Sequence, residues 1–305
     1  MTLTQDQAAG CLLGLALGDA LGAPHEGGIL ERALWRLIGR TRTGEARWTD
    51  DTRMALDLAE SVLRHHGVQP DDLARQFAAS YSPSRGYGPG TAKVLKRIRA
   101  GQHWSAASRS VFPGGSYGNG AAMRAPVLAL FYGTSREELL AAVQASSEVT
   151  HRHSIAVEGA VAVAVATQEL LLHSVVPQVL ANVRDSCRLP DFRSRLAVAS
   201  TWLEEGARPS ASEVAARLGN GMTAPTSCIT AVYSALRHLA SPFETMIQSI
   251  ASLGGDVDTI GAMAGALWGA ANGASALPAA PLEGRRHLEE TAARIFRHAT
   301  PAGNA

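Results

Sequence analysis

This sequence of 305 residues is poor in lysine, in cysteine and in net charge. Of its 28 basic residues only Lys93 and Lys96 are lysine, and the formal net charge is +1. A nearly neutral chain has no excess of cations with which to hold a polyanion, so nucleic acid is not expected as a general partner. The arginines accompany a high content of alanine and glycine, and their number alone indicates no phosphate-binding surface.

The three cysteines, Cys11, Cys187 and Cys228, form no CxxC pair. An odd number of isolated cysteines argues against a disulfide framework and against a metal site built from thiolates. The N-terminal segment lacks the basic residues of a secretory signal, and Asp19 interrupts the apolar run that follows it. We therefore expect a cytoplasmic protein.

Strand patterns are nearly absent, whereas helical patterns recur along the chain. Thr134 and Glu137 match a capping box, and so do Ser210 and Glu213. Residues 154–172 form a mostly apolar run that is too long for a strand, so this run predicts a buried helix.

The other long apolar run, residues 260–282, consists mostly of glycine and alanine and contains Asn272. It predicts a closely packed buried helix rather than a membrane span. No repeat of fixed period and no long polar linker divides the chain. We expect an all-α fold of about ten or more helices, in one compact domain spanning residues 1–305. We expect a monomer that does not contact a membrane.

Two short acidic stretches are the most informative feature, residues 49–52 (TDDT) and residues 256–259 (DVDT). Each contains two carboxylates and at least one threonine hydroxyl, with no basic residue to neutralise them. Carboxylates held this close repel one another unless a proton or a cation lies between them. Helix capping is the alternative interpretation, but a cap needs only one acceptor. We favour a shared site for two divalent cations in a central cleft, because hard cations prefer oxygen ligands.

Residues 14–26 (GLALGDALGAPHE) predict an apolar helix whose glycines allow another backbone to approach, ending at Pro24. Asp19 lies in this apolar run, so its carboxylate needs hydrogen bonds or a charged partner. Glu26 follows on a loop, from which a carboxylate can face a cleft. A solvated surface glutamate is the alternative for Glu26.

A glycine-rich loop, residues 114–120 (GGSYGNG), precedes the apolar residues 121–132. Backbone N–H groups at a helix start bind phosphate, and Ser116 and Asn119 add side-chain partners. The loop lacks the lysine of a P-loop and follows no strand, so a simple turn is the alternative. His151 lies after a helix, and we interpret it as a contact to the substrate or to a metal ligand rather than as a zinc ligand. An ordinary loop histidine is the alternative.

Taken together, these motifs resemble the ADP-ribosylglycohydrolase family, which includes the dinitrogenase-reductase-activating glycohydrolases. The matching segments, in chain order, are GLALGDALGAPHE, WTDDT, GSYGNGAAMR, THRH and GGDVDTIGAMAGALWGA. The match runs from about residue 10 to about residue 275, which is nearly the whole chain. The pair TDDT and GGDxDT in this order is specific to the family, whereas the glycine loop alone is not.

The resemblance implies an all-α fold with a binuclear Mg or Mn centre, and hydrolysis at C1″ of ADP-ribose or of an ADP-ribosylated substrate. A nucleic acid enters only as such a modified substrate. The resemblance implies a catalytic role for Glu26, beside the scissile bond. The implied metal ligands are Thr49, Asp50, Asp51, Asp256, Asp258 and Thr259. The implied substrate-binding residues are Ser116, Tyr117, Gly118, Asn119, Gly120 and His151.

Two features depart from the family pattern. Val257 replaces the usual threonine, and we expect its side chain to point away from the cations. No Asp or Glu lies between Asp72 and Glu137, although relatives acting on modified arginine place an acidic residue near residues 82–91. An arginine-linked substrate is therefore less favoured.

Two other functions fit part of the pattern. The chain could be a non-catalytic relative, either an ADP-ribose sensor or a crystallin-like protein, or a metal-dependent phosphohydrolase. The intact acidic stretches and Glu26 argue against the two non-catalytic functions, and the phosphohydrolase stays the other enzymatic alternative.

Overall fold

The structure, a computed structural model, describes residues 3–300, apart from the side chains of residues 29–31, 34 and 36. The predicted domain limits at residues 1 and 305 lie outside the described residues. Within the described range the chain forms α-helices and short 3₁₀ helices but no strand. Isolated backbone bridges, such as the one between Gly118 and Thr223, are present instead. The prediction of an all-α fold is confirmed.

Sixteen α-helices follow one another along the described chain. They are α1 Gln5–Gly22, α2 Ile29–Ile38, α3 Asp50–His65, α4 Pro70–Ser80, α5 Pro89–Arg99, α6 Trp104–Val111, α7 Pro126–Phe131, α8 Arg136–Glu148, α9 Ser154–Leu171, α10 Val176–Ser186, α11 Pro190–Glu204, α12 Ala211–Arg217, α13 Ala224–Arg237, α14 Phe243–Ala251, α15 Val257–Asn272 and α16 Arg285–Ala299. The 3₁₀ helices are Ala23–His25, Pro83–Arg85, Asn119–Ala121 and Ala274–Ala276.

Local capping signals determine where some helices begin. Ser210 caps α12 by accepting a hydrogen bond from the N–H of Glu213, as predicted. The prediction for α8 is wrong by one residue, because Ser135 rather than Thr134 is the N-cap. The Ser135 hydroxyl accepts from the N–H of Glu138 at 3.3 Å. The sequence TSREE contains the capping pattern in two registers, and the pattern alone does not choose between them.

Helix α9 crosses the core, and the prediction of a buried helix at residues 154–172 is confirmed. Among the described residues it is the one helix long and apolar enough to cross a membrane. However, 72% of that segment is buried inside the protein. Core helices of soluble proteins have the same length and composition as membrane spans. The burial of α9 against other helices fits a core helix.

Facing glycines bring α1 and α15 into direct backbone contact, as an antiparallel pair. The facing residues are Gly10, Gly14 and Gly18 on α1 and Gly269, Gly265 and Gly261 on α15. A Cβ atom on any of them would overlap a carbonyl oxygen of the opposite helix. Residues four apart share one face of a helix, so the glycines form a continuous contact line. We call this line the glycine seam.

The glycine seam also determines which chain segments meet at its end. At the last residue of α1, a Cβ atom on Gly22 would lie 2.7 Å from the Cα of Asp258. Because the two helices are antiparallel, the loop after α1 lies beside the first turn of α15. Glu26 and the second acidic stretch therefore come together at one end of the helix pair.

Adding one methyl group at the seam should destabilise the fold. We expect Gly265→Ala to lower the free energy of unfolding by about 1–3 kcal/mol or more, because the methyl overlaps the Gly14 carbonyl. Urea unfolding measures this change. Gly114→Ala is the matched control, since a Cβ there meets nothing within 4 Å, and it should change stability by no more than about 0.5 kcal/mol. Equal effects of the two substitutions would contradict the seam.

Candidate functional site

The buried carboxylate of Asp19 connects the end of α1 to the start of α3. Its oxygens accept from the N–H of Thr49 at 2.9 and 3.0 Å, and from the N–H of Thr52 at 3.1 Å. The Thr52 hydroxyl donates to it at 2.6 Å. Burial raises the pKa of Asp19 to about 6, and these hydrogen bonds oppose the rise. A carboxylate is stabilised at a helix N-terminus by free N–H groups, so Asp19 fixes the first acidic stretch in place.

The first acidic stretch forms the N-terminus of α3. Thr49 is the N-cap, and its hydroxyl accepts from the N–H of Asp51 at 3.3 Å. The capping interpretation is therefore correct for Thr49. Asp50 and Asp51 occupy the first turn, where one oxygen of Asp51 lies 3.5 Å from the hydroxyl of Thr259 on α15. The starts of α3 and α15 thus meet at one place.

A turn through Gly254 and Gly255 leads into the second acidic stretch. Both residues have positive φ angles, 65° and 77°, a backbone region that favours glycine. Asp256 occupies the N-cap position of α15, but its side chain makes no capping hydrogen bond. Val257 is buried in the core and does not line the cleft described below, in agreement with the expected orientation of its side chain. The Asp256 carboxylate is therefore not used to cap the helix.

Carboxylates from the two regions converge on one cleft of about 200 Å³. Side-chain oxygens of Glu26, Asp256 and Asp258 all lie within 4.8 Å of one another. Except for Thr49 and Tyr117, every predicted site residue lines this cleft. Those that do are Glu26, Asp50, Asp51, Ser116, Gly118, Asn119, Gly120, His151, Asp256, Asp258 and Thr259. Two segments about two hundred residues apart, together with the glycine-rich loop, build one site.

The electrostatics of this cleft are unfavourable for ionised carboxylates. Burial raises the pKa values of Asp50, Asp51 and Asp258 well above the ordinary range, and nearby negative charges raise them further. The charge of Asp19 contributes to the first two, and the charge of Glu26 contributes to Asp258. The described lining residues include no lysine or arginine to offset these charges.

The oxygen atoms of this cluster fit a hard divalent cation. The second carboxylate oxygen of Asp51 is buried and has no hydrogen-bond partner among the described residues. A buried acceptor without a partner is costly, and a cation satisfies it. A set of carboxylate and hydroxyl oxygens without nitrogen or sulfur suits Mg and Mn alike.

The glycine-rich loop forms the opposite wall, and Asn119 connects it to the acidic cluster. The side-chain nitrogen of Asn119 donates to Asp256 at 2.5 Å and to the hydroxyl of Ser227 at 3.0 Å. Both amide hydrogens are thus used inside the protein. The amide nitrogen of Asn119 thus orients a carboxylate of the cluster, a role that the sequence did not predict, and the predicted substrate contact of Asn119 stays a prediction.

Of the predicted contacts Tyr117 and His151, only His151 lines the cleft. The Tyr117 side chain is 54% exposed and packs edge-on against His153 at a centroid distance of 5.7 Å, away from the cleft lining. His151 is buried and lines the cleft beside Gly118 and Gly120. Burial, and then the charge of Arg124, lower the pKa of His151 to about 3. The imidazole is therefore neutral at physiological pH.

The less polar residues that line the cleft were not predicted from the sequence as site residues. Phe112, Met123 and Met222 line it, together with residues 86 and 88–91. The resemblance had already drawn attention to residues 82–91, whereas Phe112 was not predicted; its ring occupies the space that a Cβ on Gly90 would need. Nothing local indicated Met222, which reaches the site because the N–H of Asn119 donates to its carbonyl at 3.0 Å.

Comparison with known proteins agrees with this architecture. The family model described as ADP-ribosylglycohydrolase matches residues 1–305. The human protein named ADP-ribosylhydrolase ARH3 is 32% identical over 328 residues, covering 92% of this chain and 90% of that protein. The protein of the same name from Xenopus tropicalis is 32% identical over 308 residues, covering 88% of each.

The fold is also similar to a solved structure, named ADP-ribosylglycohydrolase-related protein complex. The TM-score is 0.72 at 29% identity, covering 97% of this chain and 99% of that one. The chain therefore belongs to the ADP-ribosylglycohydrolase family. It is a hydrolase of glycosidic bonds, as predicted.

The protein without cations should lose stability as the pH rises. The folded-state pKa values of Asp50, Asp51 and Asp258 lie well above the ordinary value of an aspartate, 3.8. The folded state thus binds more protons than the unfolded state just above that pH, and the free energy of unfolding falls as these protons are lost. Mg or Mn should abolish this loss by binding the ionised carboxylates of the folded state. Melting temperatures from about pH 5 to about pH 8, in chelator and in excess cation, test this. An identical pH dependence in both would contradict it.

Proposed function

We propose that this protein is a hydrolase dependent on divalent cations, which cleaves the glycosidic bond at C1″ of ADP-ribose. It would release ADP-ribose from a modified protein or small molecule. The observation that carries this proposal is the convergence of Glu26, Asp256 and Asp258 within 4.8 Å, in a cleft faced by a glycine-rich loop. Membership of the family, and the name ADP-ribosylhydrolase carried by curated relatives, support ADP-ribose as the sugar.

The acidic residues would hold two divalent cations, Mg or Mn. The proposed ligands are Thr49, Asp50, Asp51, Asp256, Asp258 and Thr259. When bound, such cations supply positive charge that orients hydroxyl groups and stabilises developing negative charge. Glycosidic cleavage at C1″ of the ribose passes through an oxocarbenium-like transition state. Glu26, beside this position, either protonates the leaving group or orients the attacking water.

The glycine-rich loop would bind the phosphates and the distal part of ADP-ribose. Backbone N–H groups of this loop, the Ser116 hydroxyl and His151 are the proposed contacts. The cleft volume of about 200 Å³ is below the range of about 300–1,000 Å³ that encloses a drug-sized ligand. We therefore propose that the ribose fills the cleft, while the rest of the ligand extends along the loop towards the exposed ring of Tyr117.

The wall beside the leaving group favours a neutral group over arginine. Residues 86 and 88–91 line the cleft without a single acidic side chain. This segment itself therefore offers no carboxylate to a guanidinium leaving group. A panel of arginine-linked, serine-linked and O-acetyl-linked ADP-ribose, assayed with Mg and with Mn, tests this through free ADP-ribose measured by mass spectrometry. Phosphate release from a generic phosphoester, with no free ADP-ribose from the panel, would instead favour a phosphohydrolase.

Other properties stay predictions. They are a monomeric state, a cytoplasmic location, the absence of membrane contact, and a single domain spanning residues 1–305.

Removing one proposed ligand should abolish turnover without unfolding the protein. We expect Asp50→Asn and Asp258→Asn each to lower kcat roughly a hundredfold or more, because a neutral amide binds a hard cation poorly. The helical circular-dichroism signal should stay near that of the wild type. Asp185→Asn, on the exposed face of α10, is the matched control and should keep full activity. Full activity of either ligand variant with cation supplied would refute the metal assignment.

Glu26→Gln should separate chemistry from binding. The amide keeps the shape of the side chain but cannot transfer a proton, so we expect kcat to fall by about 10²–10⁴-fold. ADP-ribose affinity, measured by calorimetry, should change far less. An unchanged kcat would remove the proposed role of Glu26.

A further inference from the structure

A fully buried arginine without a carboxylate partner lies behind the cleft. Arg124 is 0% exposed, and no ion pair joins it to any described residue. Its hydrogen bonds go to neutral oxygens: the carbonyl of Gly120, the carbonyl and hydroxyl of Ser146 at 2.9 and 3.4 Å, and the hydroxyl of Thr150 at 3.0 Å. The guanidinium also lies over the ring of Phe77, 5.0 Å from its centroid. A buried charge without a counter-ion is costly, so simple packing does not account for an arginine here.

Two of these acceptors belong to the segments that enclose His151. Gly120 packs against the ring, where a Cβ atom would lie 2.6 Å from the Cε1 of His151. Thr150 precedes His151 in the chain, and its hydroxyl oxygen lies 2.8 Å from the Nδ1 atom of the ring. Arg124 therefore donates hydrogen bonds both to Gly120 in the loop wall and to Thr150, the residue next to His151.

These hydrogen bonds determine which ring nitrogen carries the proton. Arg124 is a donor only, so the hydroxyl oxygen of Thr150 accepts from it. The hydroxyl hydrogen of Thr150 is buried and needs an acceptor of its own. Among the described residues, the acceptor within reach is the Nδ1 of His151. If Nδ1 carried the proton instead, the Thr150 hydroxyl hydrogen would have no acceptor. The proton therefore lies on Nε2.

Of the ring atoms of His151, Nε2 lies nearest to Gly118. It lies 3.4 Å from the position of a Cβ on Gly118, in the loop wall, and His151 lines the same cleft as the acidic cluster. A neutral N–H donor binds a phosphate or hydroxyl oxygen without adding a positive charge beside the carboxylates.

We propose that Arg124 and Thr150 are positioning residues, which hold His151 as the tautomer protonated on Nε2 so that it donates a hydrogen bond to a ligand oxygen in the cleft. The identity of that ligand as ADP-ribose rests on the proposed function. The tautomer itself does not, because it follows from contacts within the ligand-free protein. The arrangement also explains why a buried arginine lies here, since a lysine could not reach Gly120, Ser146 and Thr150 at once.

Nitrogen-15 NMR of histidine-labelled, ligand-free protein tests the tautomer directly. We expect the wild-type His151 to carry its proton on Nε2, with Nδ1 accepting a hydrogen bond. Protonation on Nδ1, or a charged ring at neutral pH, would overturn the proposal.

Thr150→Val tests the relay, because it removes the hydroxyl and keeps the side-chain shape. We expect the Nδ1 resonance to lose its hydrogen-bond shift and ADP-ribose affinity to fall roughly fivefold to tenfold. Thr150→Ser should restore both. Thr167→Val is the control, since Thr167 is equally buried but its hydroxyl donates only to the Val163 carbonyl of its own helix. It should change neither quantity.

The two readouts separate this inference from the proposed function. A Thr150→Val protein that keeps both the wild-type Nδ1 resonance and the wild-type affinity would refute the relay. A wild-type protein that binds no ADP-ribose would refute the proposed function, while the Nδ1 and Nε2 resonances would still decide the tautomer. Arg124 variants are less informative, because loss of a buried residue with several hydrogen bonds also affects folding.

Discussion

The rest of this structure depends on backbone contact between two helices. At the glycine seam the main chains of α1 and α15 touch, which any larger residue would prevent. Contact at this distance leaves little freedom for sliding or rotation, so the register of one helix on the other is well defined. Glu26 and the second acidic stretch are therefore positioned by main chain, and not by the rotamers of intervening side chains.

Beside the glycine seam, the side chains of Asp19 and Asn119 keep the acidic residues of the cleft close together through hydrogen bonds. Asp19 takes the free N–H groups of α3 and thereby fixes Asp50 and Asp51, while Asn119 holds Asp256 from the other wall. These interactions orient the carboxylates without cancelling their repulsion, as the raised pKa values of Asp50, Asp51 and Asp258 indicate. The energy of folding maintains a cluster of carboxylates that repel one another, which suits the cation site that we propose.

The sequence predicts most of this arrangement where the signal is local. The acidic stretches, the glycine spacing of α1 and the long apolar α9 are patterns within a few turns of one segment, and all lie where expected. The functions of Asn119 and Arg124 are not predictable in this way. Asn119 bonds to a carboxylate 137 positions away, and Arg124 acts through the hydroxyl of a residue 26 positions away. Tertiary packing brings such partners together, and the local sequence pattern does not indicate them.

The order of the helices along the chain has a consequence for how the protein is made. Asp51 and Thr259, which meet in the cleft, are 208 positions apart, and α1 and α15 lie near opposite ends of the chain. On the ribosome, α1 emerges long before α15 has been synthesised. The glycine face of α1 therefore stays unpaired during most of translation. A chain released early therefore lacks half of the acidic cluster, and hydrolytic competence arrives only with the final segments of the polypeptide.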